Sequence, residues 1–297
     1  QARVRLLPQH SRYDFRPLPE RKPYAWPLGR RLAFTVTTNI EWFAFGAGLG
    51  HDPAKTGEPQ THRNYAWRDY GNRIGVWRLF ELLDELGLPA GHCTNSLVYD
   101  YAPQITDAIR RRGDELIAHG RSNAENLVGL WQPDEERILR EVTETIRRHE
   151  GRAPAGWLGA GAYETAHTPD LLKELGYRYL MDWPMDDQPV WLATRSGRLL
   201  SVPYPIEIDD AQAIIHRKWS AATFADAVVD QFDEMLAQAE RHALVMHVSL
   251  HPYVFGQPFR LRRLRGALAH CLKRPGVWYC RPGDIAEHCY SLGESVT

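Results

Sequence analysis

Long hydrophobic runs are missing from this 297-residue chain. The longest, residues 243–250, is interrupted by His247 and Ser249 and falls well short of the roughly 18 apolar residues that span a bilayer, so no membrane partner is expected. An excess of either charge is missing too. Lys and Arg number 36 against 37 Asp and Glu, a formal net charge of −1, and no global field draws in nucleic acid. Cysteine is sparse: Cys93, Cys271, Cys280 and Cys289 show no CxxC spacing, which argues against a disulfide scaffold or a structural zinc site and fits a reducing, cytoplasmic setting. Residues 1–23 are basic and Pro-bearing and lack the apolar stretch of a secretory signal. They read as part of an extended arm, residues 1–30, preceding a domain over 31–297.

What is present is alternation. Short apolar runs at 32–38, 89–96, 115–118, 155–158, 178–182, 199–203, 243–250 and 277–280 read as strands. Amphipathic segments at 72–86, 102–112, 133–150, 168–175, 220–241 and 259–273 read as helices, and Gly87, Gly113, Gly151 and Gly176 stop four of them. About seven or eight βα units in roughly 260 residues suit a parallel (β/α) barrel, because no GxGxxG follows the first strand to mark an open dinucleotide-binding sheet. RLRRLR at 260–265 reads as the solvated face of a helix that turns Leu261, Leu264 and Leu268 inward.

A barrel of this kind carries its chemistry at the C-terminal ends of its strands. Those ends hold Asn39 and Glu41, Asn95 and Ser96, His119 and Asn123, then Gly159, Gly161 and Glu164. Asp182 with Asp186 and Asp187, Tyr204 with Glu207, and His251 complete the rim. Glu41, shielded by Trp42 and Phe43, suits a general base or metal ligand; the plain alternative is an exposed loop carboxylate. His119 and Asn123 are spaced to share one side of a helical turn, although an amide oxygen is a poor zinc ligand. His251, followed by Pro252, turns toward the barrel mouth as a candidate general acid. The acids after the fifth strand are binding residues or an ordinary turn. The glycines of GWLGAGAYET permit close approach of backbone amides to an oxyanion.

Seven segments in order, TTNIEWF, RDYGNRIGVWRLFELLDELGLPA, IAHGRSN, GWLGAGAYET, DWPMDDQP, SVPY and SLHPYVFGQPFRLRRL, resemble the polysaccharide deacetylase (NodB-homology) superfamily. The likeness covers residues 30 to 290 and is strongest to its allantoinase-like and cyclic-imidase-like branch. It implies a deformed (β/α)7–8 TIM-like barrel, hydrolysis of a non-peptide C–N bond, and assembly into a homotetramer or homodimer. The metal-dependent members carry Asp-Asp after the first strand and HxxxH after the third. Here Glu41, Trp42, His119 and Asn123 stand at those places, so no cofactor is expected, or else a divalent metal such as zinc on Glu41, His119 and Asn123. The family's arginine after the fourth strand has no match.

The resemblance implies Glu41, His119 and His251 as catalytic residues: Glu41 activating water, His119 orienting it and His251 protonating the departing nitrogen. Asn95, Asn123, Arg73, Gly159, Gly161, Glu164, Asp182 and Tyr204 are then the candidate substrate-binding residues. The expected substrate is a small cyclic amide, imide or ureide. A metal-assisted N-deacetylase of an amino sugar, and a ligand-binding barrel that has lost catalysis, are the alternatives. Loops 42–67 and 183–198 are expected to set specificity.

Overall fold

The computed structural model describes residues 7–46 and 60–296; residues 47–59 of the expected specificity loop lie outside them. The central strand, β1 (Leu32–Ile40), is buried at all nine positions, which explains its near-continuous apolar and Thr sequence. It runs parallel to β2 (Gly91–Thr94) along its C-terminal half and to β8 (Leu244–Leu250) on its other edge. A short strand, β9 (Val277–Tyr279), fills the place beside its start. From β2 the sheet continues through β3 (Glu115–Ala118), β4 (Gly156–Trp157) and β5 (Tyr179–Leu180), and then through β7 (Gly197–Ser201) to β6 (Val190–Thr194).

The fold is therefore a curled, deformed (β/α) barrel, with two departures from an even βα series. First, β6 and β7 are antiparallel, a hairpin turning at Arg195 and Ser196. Second, among the described residues no ladder joins the two ends of the sheet, β6 and β8. The segments on either side of the hairpin bridge to β8 instead: Val245 N donates to Asp187 O at 2.8 Å, Pro203 O contacts His247 Nδ1 at 2.9 Å, and Asp209 bridges Ser249. His247, on β8 four residues before His251, is thus a core residue held by Thr37 Oγ1 at 2.7 Å.

The expected helix at 72–86 starts earlier. Helix α1 (His62–Tyr70), capped by Thr61, runs through one π-helical turn at 71–75 into α2 (Val76–Leu86). The wide turn coincides with a close approach. A Cβ on Gly75 would lie 2.1 Å from Pro252 O, and one on Gly71 would lie 2.7 Å from Tyr253 N, so only glycine lets this helix rest on the backbone that follows β8. The helices α3 (Val98–Tyr101), α4 (Pro103–Arg112), α5 (Gln132–Glu150), α6 (Thr168–Glu174), α7 (Ala221–Gln238), α8 (Pro252–Phe255) and α9 (Pro258–Cys271) wrap the sheet. A final helix, α10 (Pro282–Leu292), was not expected. Gly87, Gly113 and Gly151 end α2, α4 and α5 in the left-handed region, at φ 63°, 71° and 73°. Leu261, Leu264 and Leu268 of α9 are buried as expected.

The N-terminal arm packs on its own barrel. Trp26 is buried and its Nε1 donates to Leu244 O at 2.9 Å, while Arg12 forks onto Asp170 at 2.8 Å and onto the edge of β6 at Ala193. Arg21 likewise forks onto Asp186, which explains that acid as an anchor for the arm. Covering β6 removes an unpaired strand edge. No helix among the described residues is long and apolar enough to cross a membrane.

Candidate active site

The strand ends converge on a cleft of about 380 Å³ lined by Asn39, Glu41, His119, Asn123, Gly159, Gly161, Asp182, Tyr204 and His251, among others. Glu41 follows β1 directly. Asn72 of the π-helical turn fixes its backbone by donating to Glu41 O at 2.9 Å. The carboxylate is buried among nitrogen groups: Oε1 lies 3.4 Å from His251 Nε2 and 3.8 Å from His119 Nε2, and Oε2 lies 3.8 Å from Arg68 Nη1. Burial alone would raise the Glu41 pKa. The charge on His251 outweighs burial and holds it well below the usual range, so Glu41 is ionised.

His251 is oriented by Asp210, a residue the sequence reading passed over. Asp210 Oδ1 lies 2.7 Å from His251 Nδ1, and Oδ2 accepts from the His251 backbone N at 2.8 Å. That bond assigns a proton to Nδ1 and aims Nε2 at Glu41. Burial disfavours the charged ring, but the carboxylates of Glu41 and Asp210 raise its pKa well above the usual value. His251 is therefore an imidazolium beside an ionised carboxylate. His119 is set differently: its Nδ1 faces Leu158 O at 2.7 Å, and because a carbonyl only accepts, Nδ1 carries the proton. In the neutral ring Nε2 then presents a lone pair, and it has no hydrogen-bond partner.

The remaining expected residues sort by position. His119 and Asn123 do not share a helical turn, because the chain between them is an irregular loop. Asn95 is fully buried and does not line the cleft; it builds the loop, with Oδ1 accepting from Trp42 N and Asn123 N and Nδ2 donating to His119 O and Asn123 Oδ1. With its oxygen engaged, Asn123 has its Nδ2 group left to offer the cleft. Arg73 is exposed and outside the cleft, because the π-helical turn brings Asn72 to Glu41 and leaves the next residue facing out. The buried guanidinium near Glu41 is instead Arg68. It lies 4.1 Å from the Phe43 ring centre and donates to Asn64 and Tyr253.

Gly159 N is already spent on Asp182 Oδ1 at 2.7 Å, so it is not a free oxyanion donor, whereas Gly161 lines the cleft at φ 68°. Glu164 sits behind Asp182, with Oε2 accepting from Trp183 Nε1 at 2.9 Å. Glu207 is an outer-rim residue paired with Arg217. Tyr204 belongs to a floor network. Its hydroxyl meets Ser249 Oγ, which donates to Asp209 at 2.7 Å, and Asn39 Nδ2 donates to both hydroxyls at 3.0 Å.

The donor set disfavours zinc on Glu41, His119 and Asn123. The Asn123 oxygen already accepts from Asn95 at 2.9 Å, leaving two protein ligands where catalytic zinc uses three. Among the described residues, Asp209, Asp210 and His251 have ligand-like spacing, but Ser249 and His251 itself hold those carboxylates.

Fold and site together define a deformed (β/α) barrel with Glu41, His119 and His251 gathered in a cleft at its C-terminal rim. The comparisons agree with that class. No protein-family model matches the chain. A protein of Schizosaccharomyces pombe named as a polysaccharide deacetylase is 25% identical over 295 residues, covering 88% of this chain and 91% of that protein. The peptidoglycan deacetylase of Helicobacter pylori is 24% identical over 255 residues, covering 73% and 84%. The crystal structure of PuuE allantoinase superposes with a TM-score of 0.80 at 22% identity, covering 90% of this chain and 92% of that one. The resemblance read from the sequence is borne out: both sequence relatives carry deacetylase names, and the deformed (β/α) barrel is one that this chain shares with PuuE allantoinase.

Proposed function

We propose that the protein hydrolyses a C–N bond in a small cyclic amide, imide or ureide, with Glu41 as base and His251 as acid. The observation that carries this reading is the geometry of the pair: a buried carboxylate 3.4 Å from a ring nitrogen of His251, whose other ring nitrogen and backbone N Asp210 holds at 2.7 and 2.8 Å. Glu41 takes the proton of a water as it attacks the carbonyl. The bare Nε2 of His119 accepts that water's second hydrogen and fixes its lone pair toward the carbon. Asn123 Nδ2 faces the developing oxyanion, and His251 Nε2–H protonates the nitrogen as the C–N bond breaks. Each proton transfer contributes about 10²–10⁴-fold. Afterwards the proton on Glu41 returns to His251 across their short contact, which restores the starting state.

The second reading, N-deacetylation of an amino sugar, is supported by the names of the two sequence relatives. A panel of cyclic imides, ureides and N-acetyl sugars, assayed before and after chelation, separates the two. Ring opening that survives chelation supports the first reading. Release of acetate that needs added metal supports the second. Assembly with further copies of this chain is proposed from the resemblance, and sedimentation tests it.

A further inference from the structure

The cleft that holds Glu41 and His251 is also lined by Asp182, and Asp182 with its neighbour Glu164 is not used by the mechanism above. Asp182 lines the cleft, and its Oδ1 accepts one hydrogen bond, from Gly159 N at 2.7 Å. Glycine at 159 is required by the chain that folds back behind it, since a Cβ there would lie 2.8 Å from Tyr163 O. Behind it, Glu164 Oε2 is held by Trp183 Nε1, and the facing oxygens, Asp182 Oδ2 and Glu164 Oε1, are buried with no donor. Burial raises both acids; the Asp182 charge and hydrogen bond raise Glu164 further, whereas the hydrogen bond from Glu164 favours the charged form of Asp182, so the pair shares a proton carried by Glu164 and Asp182 keeps the negative charge. A carboxylate oxygen accepts more than one hydrogen bond, so Asp182 Oδ1 retains capacity toward the cleft.

We infer that Asp182, backed by Glu164, is a specificity residue that accepts a hydrogen bond from a ring N–H of the substrate. This narrows the class to cyclic imides and ureides that carry a free N–H, and it rests on the cyclic-substrate reading above. Ring atoms beside the scissile carbonyl of such compounds carry N–H groups, and an anionic acceptor in a partly enclosed cleft discriminates against their N-alkylated forms. The wall selects the substrate; the acid–base pair transforms it.

The test is binding, not turnover. In the E41Q background, which keeps the cleft but removes the base, calorimetry compares hydantoin, which has two ring N–H groups, with 1,3-dimethylhydantoin, which has none. The expected result is about a tenfold or greater preference for hydantoin, as the loss of a hydrogen bond to a charged group implies. That preference should fall below about threefold when Asp182→Ala is added. Should the Ala variant fail to fold, Asp182→Asn, which keeps the shape and the Gly159 bond but removes the charge, is expected to give an intermediate preference. Equal binding of the two rings, a preference that survives Asp182→Ala, or no binding of hydantoin each overturns the assignment. Turnover by the unmodified enzyme is scored separately, so hydrolysis of N-acetyl sugars by a protein that ignores hydantoin counts against the cyclic-substrate reading while leaving the hydrolase class intact.

Discussion

Replacing Asp210 by Asn probes the acid side of the site without touching the cleft wall. Asp210 is fully buried and makes two bonds to one residue, to His251 Nδ1 at 2.7 Å and to the His251 backbone at 2.8 Å. Asn preserves the volume but removes the charge that favours the imidazolium. A hydrogen bond to a charged group is worth about 1.5–3 kcal/mol, which at about 1.4 kcal/mol per tenfold lowers the proton affinity of His251 by about 10- to 100-fold. The sign follows from the role. An acid is competent below its pKa, so lowering that pKa moves the alkaline limb of the rate profile to lower pH. The assay is kcat/KM against pH on the best substrate of the panel, with a thermal melt to confirm folding. We expect the alkaline limb of D210N to fall one to two pH units earlier, about as the 10- to 100-fold figure implies. A folded D210N protein with an unmoved alkaline limb would refute the assignment of His251 as the acid.

Two further outcomes concern stability. His247 is fully buried, and burial pushes its pKa down to about 4 despite its bond to Pro203 O. The unfolded chain binds that proton near the ordinary histidine value, so stability is lost as pH falls from about 6.5 toward 4, by about 3 kcal/mol in all. Urea midpoints of wild type and H247Q across that range should show a shallower acid loss in H247Q; parallel curves would sink this prediction. Gly75→Ala places a methyl 2.1 Å from Pro252 O and should cost about 1–3 kcal/mol through overpacking. An unchanged denaturation midpoint would show that the helix does not press on that backbone.

The barrel was legible because its strongest strands, β1 and β8, are apolar runs, and because left-handed glycines mark the ends of α2, α4 and α5. The β6–β7 hairpin was missed although Ser196-Gly197 between apolar runs is a turn signal, because one run was absorbed into a loop. The rim placement of Glu41, His119 and His251 was legible from strand ends. Their partners were not: Asp210 approaches His251 from a segment that stands in for a missing strand, and Arg68 arrives on a helix whose phase the π-helical turn shifts. That same shift turned Arg73 outward, which helical periodicity alone could not reveal. Asn95 read as a cleft residue because position along a strand does not say which neighbours will consume a side chain's hydrogen bonds.

The central claim is that Glu41 is the base of a C–N hydrolase, and the direct measurement is hydrolysis by wild type and E41Q on the panel of cyclic imides, ureides and N-acetyl sugars. The amide in E41Q keeps the size of the side chain and the backbone bond from Asn72, and removes the proton acceptor. The account predicts ring opening by wild type and a loss of about 10²–10⁴-fold in E41Q with the fold intact. Turnover by E41Q at the wild-type rate would contradict it.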